Sequence, residues 1–273
     1  MSHVPQAKYL IPIQAPSEPS SNPANDQFRE FCRLMKSIPY VDNAHLDRLG
    51  VTCEDIDFET GAPADGYPKL IDLVPAHQSD AIIEQTDIGQ DNAVPATADY
   101  PSKNVHEARF VGYFFLYGLF GSISPDSNTP VLDCSPWVIL ERRPDTIISS
   151  FHGFHIVFTL ELGDKSLPDI MCFLANDTPC KDEELYTSEL LCIMQFGLRR
   201  LRAKRYHGHH HIAVTIASGS GRKVRIVQGY VDKNKGCVFV RKSKFVDLNG
   251  NRGDNLRRLM QIHRWILGQP CRE

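Results

Sequence analysis

The sequence predicts an α/β (α+β) chain: a central mixed sheet with flanking helices, closed by a C-terminal helix–three-strand meander–helix unit. Three observations predict it. Strand-like apolar runs alternate with segments of helical periodicity. Three well-marked strands follow one another near the C-terminus, separated only by turn residues. Apolar residues make up 42 % of the 273 residues, enough for a sizeable core.

The elements follow in order. Residues 1–26 are rich in Pro, Ser, Asn and Ala and read as a flexible arm. Residues 27–100 form a helical, then acidic and loop-rich extension. Its first helix is expected over Asp26–Ser37, with Phe28, Phe31, Leu34 and Met35 on one face. A second covers Asn43–Leu49 and stops at Gly50. Pro63, Pro68, Pro75 and Pro95 break the stretch 51–100, leaving one short helix near Ser79–Gln85.

The main domain is expected over 101–273. Asn104 and Glu107 have the spacing of an N-cap and N3 pair for a helix running through Phe110–Phe120. That apolar run is shorter than the roughly 20 residues a bilayer span needs, so it reads as a buried helix and no membrane role is expected. Strands follow at Trp137–Glu141, Thr146–Phe151, Phe154–Leu162 and Ile170–Leu174, with His152-Gly153 as a hairpin turn. A long helix spans Asp182–Lys204, with acids at its start and bases at its end, as the helix dipole favours. The meander is His211–Ala217, Lys223–Val231 and Cys237–Val246. A last helix, Asp254–Leu267, stops at Gly268 and Pro270.

The eight cysteines contain no C-x-x-C pair, and several sit in apolar runs. This argues against a zinc framework or a secreted disulfide scaffold, and predicts a reducing compartment, cytoplasmic or nuclear. No segment at the start of the chain resembles a signal peptide.

Net charge is −3, which hides a gradient. Residues 1–198 hold 12 Lys+Arg against 29 Asp+Glu, a balance of −17; residues 199–273 hold 18 against 4, a balance of +14. Such asymmetry fits a polyanionic partner, DNA or RNA, or pairing of acidic and basic segments within or between chains. Arg199, Arg200, Arg202, Lys204, Arg205, Lys223 and Arg225 are the candidate nucleic-acid contacts. The competing arrangement is a solvated outer surface, or one covered by the acidic stretch 54–99. Strand alternation sets Lys223 and Arg225 on one face and Val224 and Ile226 on the other.

His207-Gly208-His209-His210-His211 offers imidazoles for a transition metal, but not at structural-zinc spacing. The alternative is a polar helix-to-strand junction. Gly219-Ser220-Gly221-Arg222-Lys223 lacks the P-loop pattern and precedes a strand, so it reads as a hairpin turn. No G-x-S-x-G elbow, H-E-x-x-H or kinase signature is present.

A carboxylate set remains. Pro144-Asp145 opens a hairpin, and the strand His155-Ile-Val-Phe-Thr-Leu-Glu161 ends on an acid. Glu107 lies on the preceding helix and Gln195 on the following one. This order resembles the PD-(D/E)XK nuclease superfamily. The resemblance implies Asp145 and Glu161 as ligands of Mg²⁺, with Glu107 and Gln195 completing the catalytic set. The chain departs from the motif: Gly163 stands where the family has lysine, with Lys165 two residues on. If Ile170–Leu174 is the family's third strand, Pro168-Asp169 becomes the first motif half and no second half follows. The segment Leu185–Leu267 also resembles an uncharacterised family of filamentous-fungal proteins, through Ser188–Leu201, His211–Ala217, Val224–Tyr230 and Phe239–Asp247. That resemblance implies no catalytic residues.

The expectation is therefore a nucleic-acid-associated protein with a nuclease-like, catalytically degraded domain. The alternatives are a protein-interaction or self-association module and, third, a small-molecule enzyme built around the histidines.

Overall fold

The computed structural model describes residues 31–33, 38–64, 66–78, 104–121, 135–140, 153–209, 211–232 and 237–271. In chain order the elements are β1 (Tyr40–Val41), α1 (Asn43–Leu49), β2 (Val51–Asp55), β3 (Ile71–Asp72), α2 (Asn104–Gly121) and β4 (Trp137–Ile139). Then come β5 (Phe154–Leu162), β6 (Ile170–Asn176), β7 (Leu185–Tyr186), α3 (Thr187–Arg202) and β8 (His211–Ser220). The last are β9 (Lys223–Asp232), β10 (Cys237–Lys242), β11 (Val246–Asp247), α4 (Arg252–Ile266) and β12 (Gln269–Pro270).

A mixed eight-stranded sheet runs β2-β10-β9-β8-β6-β5-β4, with β11 added to β9. The β6 and β8 strands are parallel and joined through α3, while β8, β9 and β10 form the antiparallel meander. The expected α/β class and the helix–meander–helix unit are both present. No helix among the described residues is long and apolar enough to cross a membrane.

The central strands are apolar on both faces because both faces are covered. Ile170, Cys172 and Leu174 of β6 join Ile212, Val214 and Ile216 of β8 in a core with α3. Met171, Phe173 and Ala175 point the other way, into a second core with Ala108, Val111 and Phe115 of α2 and Ile262 and Trp265 of α4. The α3 helix is buried on most of its circumference, since Phe31, Val41, Leu46 and Leu49 pack into its core too.

Two glycines let α3 approach the sheet. A Cβ on Gly229 would collide with Ile193, and one on Gly197 with Val231. Neither neighbour has room to retreat in a close-packed core.

Several boundaries differ from expectation. The α3 helix starts at Thr187 rather than near Asp182, because Leu185–Tyr186 pairs as β7 with β1. Asp182 and Glu184 therefore sit in the connection before it. The third meander strand ends at Lys242 rather than Val246. Ser243 turns the chain there, its backbone N–H donating to Ile226 O and its Oγ accepting from Ile226 N, before β11 resumes pairing with β9.

The stretch 51–100 is expected to be loop-rich, and the described residues of 56–70 carry no strand or helix, but Val51–Asp55 is an edge strand parallel to β10 and Ile71–Asp72 pairs with β12. The sheet thus draws on residues before 101. The expected helix near Ser79–Gln85, the strand Thr146–Phe151 and most of the helix Asp26–Ser37 lie outside the described residues.

His263 of α4 is buried against the Phe115 ring, 5.3 Å away, and neither ring nitrogen has a hydrogen-bond partner among the described residues. Burial penalises the charged form and pushes its pKa down to about 4. The folded state therefore binds this proton more weakly than the unfolded chain does. The cost is absent above about pH 6.5 and grows by about 1.4 kcal/mol per unit as pH falls towards 4. Urea denaturation at pH 7 and pH 4.5 should show this loss, and His263→Phe should reduce it.

Gly229→Ala tests the helix–sheet contact. Reduced unfolded-state entropy favours alanine by about 0.4–1 kcal/mol. Overpacking against Ile193 costs about 1–3 kcal/mol. Net destabilisation is expected in the same denaturation assay.

Candidate nucleic-acid interface

The basic segment divides into inward and outward cations, and the division follows α3. At its start, Glu189 accepts a hydrogen bond from the Tyr186 backbone N–H, 2.8 Å away. Its carboxylate faces Arg225 of β9. Arg225 Nε donates to Glu189 Oε1 at 2.9 Å and Nη2 to Oε2 at 2.6 Å, a bidentate pair with both side chains fully buried. Arg225 also donates to the carbonyls of Lys181 (3.2 Å) and Glu184 (2.9 Å), pinning the connection that enters α3. Its guanidinium lies 5.1 Å from the Tyr186 ring centroid and 4.4 Å from that of Phe245. Burial alone would lower its pKa, but the adjacent carboxylate outweighs burial and holds it above its ordinary value.

At the other end of α3, Arg200 is also buried. Its Nη2 donates to Glu161 Oε2 at 3.0 Å, and its Nη1 donates to the Tyr206 hydroxyl. Glu161 Oε1 accepts from Lys165 at 2.6 Å. Burial raises the Glu161 pKa, but the hydrogen bonds from Lys165 and Arg200 outweigh that and leave it below its ordinary value.

Arg199, Arg202, Lys204 and Arg205 remain exposed around this end. The helix stops at Ala203, and Lys204–Tyr206 makes a single 3₁₀ turn. Tyr206 is buried, with the Arg200 and Arg205 guanidinium groups 5.0 and 4.7 Å from its ring centroid. The carbonyl end of a helix favours cations, so the cluster is stable where it stands.

Two of the seven expected nucleic-acid contacts are therefore corrected: Arg200 and Arg225 face the interior. Lys223 stays partly exposed, 3.8 Å from Asp247. Alternation placed Arg225 opposite Val224 and Ile226 correctly; the face it shares with Val227 and Val231 is the one α3 covers.

The expected catalytic set does not assemble from the described residues. Glu161 pairs in register with Ile170, which pairs with Val214. Glu107 lies at the far end of β8, its Oε2 3.3 Å from where a Cβ on Gly221 would stand. The strand from Val214 to Ser220 separates them, about 20 Å at ~3.3 Å per residue. They also lie on opposite faces, Glu161 with α3 and Glu107 on α2. Gln195 is half-buried, its Oε1 without a hydrogen-bond partner among the described residues. It is about 9 Å along the axis from Glu189 and about 7.5 Å from Arg200 at ~1.5 Å per residue. Asp145 lies outside the described residues.

Glu161 already neutralises two cations, and Glu107 cannot reach a metal bound to it. Asp169, the alternative first acid, is half-buried, and burial raises its pKa. Its Oδ1 accepts from Ala213 N at 3.3 Å.

The histidine cluster is dispersed. His209 Nε2 lies 2.9 Å from the Ser166 carbonyl oxygen, and His211 Nε2 lies 3.4 Å from Asp232 Oδ2. His207 is exposed, and His210 lies outside the described residues. Among the described residues no group of three His, Cys, Asp or Glu side chains is placed to hold a metal ion.

Comparison of the chain with protein-family models, with curated proteins and with solved structures finds no match.

Removing one member of the buried pair leaves the other uncompensated. Glu189→Gln or Arg225→Met should each destabilise the fold by about 3–5 kcal/mol. The double replacement Glu189→Met with Arg225→Met should recover part of that loss. Denaturation midpoints of the three variants check this; two mild single losses that simply add would contradict it.

Proposed function

We propose that the protein binds nucleic acid through the cationic end of α3, using charge rather than a metal-dependent catalytic set. The observation that carries this reading is the outward cluster of Arg199, Arg202, Lys204 and Arg205 beside a neutralised Glu161. Four cations within seven residues, on a helix end and one short turn, suit contacts to successive phosphates. The nuclease-like resemblance enters only as a degraded scaffold, since Glu107, Glu161 and Gln195 lie apart.

A second reading is charge pairing between the acidic and basic segments. Lys242 supports it, lying 3.5 Å from Asp55 across the parallel β2–β10 pair and donating to the Asp182 carbonyl at 2.7 Å. Arg241 likewise donates to the Pro68 carbonyl at 2.9 Å. This pairing accounts for the cations of β10. It does not account for those at the end of α3.

Fluorescence anisotropy with labelled oligonucleotides across a salt series tests the proposal. Affinity should fall with salt at a log–log slope of about −0.7 to −0.9 per phosphate neutralised. The variant Arg202→Ser, Lys204→Ser, Arg205→Ser should flatten that slope by roughly one unit per cation removed. No binding to DNA or RNA at low salt overturns it.

A further inference from the structure

We infer that His207 and His209 extend the phosphate-binding surface at the end of α3, and that their protonation makes its affinity rise as pH falls. The inference rests on the nucleic-acid reading above and adds two binding residues and a means of regulation.

The cationic end of α3 runs directly into the histidine-rich turn. After the 3₁₀ turn Lys204–Tyr206, the His207 N–H donates to the Lys204 carbonyl at 3.2 Å. The His209 N–H donates to the Tyr206 carbonyl at 3.0 Å. These bonds fold the segment back on the helix end. His207 is exposed, and the half-buried His209 ring meets the Tyr206 ring edge-on at 6.3 Å. Tyr206 is the ring that Arg200 and Arg205 also approach, so His209 belongs to the same surface. His211 does not: Ile212 points into the core under α3, and alternation sends His211 to the opposite face, near Asp232.

The contact of His209 with Ser166 fixes where its protons go. A carbonyl oxygen only accepts, so Nε2 carries the hydrogen at this 2.9 Å contact. A second proton enters at Nδ1 and leaves that bond intact. Charging His209 therefore adds a cation without releasing the turn from the β5–β6 connection.

The groups around the two imidazoles act in both directions. Arg200, Lys204 and Arg205, from α3 and its 3₁₀ turn, oppose a further positive charge, whereas the helix carbonyls favour it. From the β5–β6 connection, Asp169 interacts with His209 and favours the imidazolium. Lys165 and Asp164 flank Ser166 with opposite signs; Lys165 pairs with Glu161, and Asp164 accepts from the Ser166 N–H and hydroxyl. A bound phosphodiester tips this balance. It favours the imidazolium, and by linkage the imidazolium favours it to the same extent. Imidazole is the side chain that ordinarily changes charge between pH 5 and 8, which sets the range. The buried His263 acts with the opposite sign, since acid destabilises the fold through it and a lost fold would weaken binding.

The test uses a thymidine oligonucleotide without terminal phosphates, whose charge is constant between pH 7.5 and 5.5. Its affinity should rise across that range by about threefold per histidine, roughly tenfold in all, and the salt slope should steepen by about one unit per imidazolium. His207→Gln with His209→Gln should remove most of that rise. Histidine-selective NMR of the unmodified protein gives an answer that does not depend on the variant folding. The titration midpoints of His207 and His209 should move to higher pH when the oligonucleotide is bound. A pH-independent affinity, a rise that survives in the double variant, or unmoved His207 and His209 midpoints overturns the inference while phosphate binding stands. Binding at neither pH overturns the nucleic-acid reading itself.

Discussion

Arg225 carries a full charge on a strand face where, beyond the exposed Lys223 at the strand's start, Val227, Gly229 and Val231 follow, and α3 covers that face. Only a carboxylate delivered into the same core offsets its desolvation, and Glu189 delivers it from the first turn of the helix. Much else follows from that pair. Glu189 also binds the Tyr186 N–H, so α3 begins where the ion pair allows. Arg225 binds the Lys181 and Glu184 carbonyls, so the connection from β6 is held against the sheet. A buried charge pair contributes little net stability but strongly penalises any register that separates its members. The closely packed Ile193–Gly229 and Gly197–Val231 contacts lie further along the same interface.

The same logic sorts the +14 C-terminal segment. Arg225, Arg200 and Arg241 turn inward, each meeting a carboxylate, hydroxyl or carbonyl acceptor. Lys242 meets the acidic stretch through Asp55. Among the described residues, Arg199, Arg202, Lys204 and Arg205 face outward together at the C-terminal end of α3, where the helix carbonyls favour them, while Lys223, Lys244 and Arg257 are exposed elsewhere. Part of the charge asymmetry is thus internal architecture and part is a surface, and a partner would meet only the surface part.

Much of the fold is legible in the sequence because it rests on local periodicity. The meander, α3 and α4 show strand alternation or helical spacing within one segment, and Gly50 ends α1 in the left-handed conformation expected of a C-cap. The short strands β2, β3 and β7 are not legible. Their extended state is set by partners far away in the chain, β10, β12 and β1, and their own residues show no period. The described members of the carboxylate set lie apart for a related reason. Order along the chain resembles a nuclease hairpin, but convergence depends on which end and face of the sheet each acid meets, and Glu107 on α2 and Glu161 on β5 meet opposite ends and opposite faces. The inward turn of Arg225 had a readable signal: Val227, Gly229 and Val231 share its face, which marks that face as covered.

The basic segment divides into buried and outward arginines. Arginine-selective modification with phenylglyoxal, read residue by residue by peptide mass spectrometry, tests it on the native protein. Arg199, Arg202 and Arg205 should react quickly, while Arg200, Arg225 and Arg241 react only after unfolding. Modification of Arg225 in the folded protein at the rate of Arg202 would contradict the account.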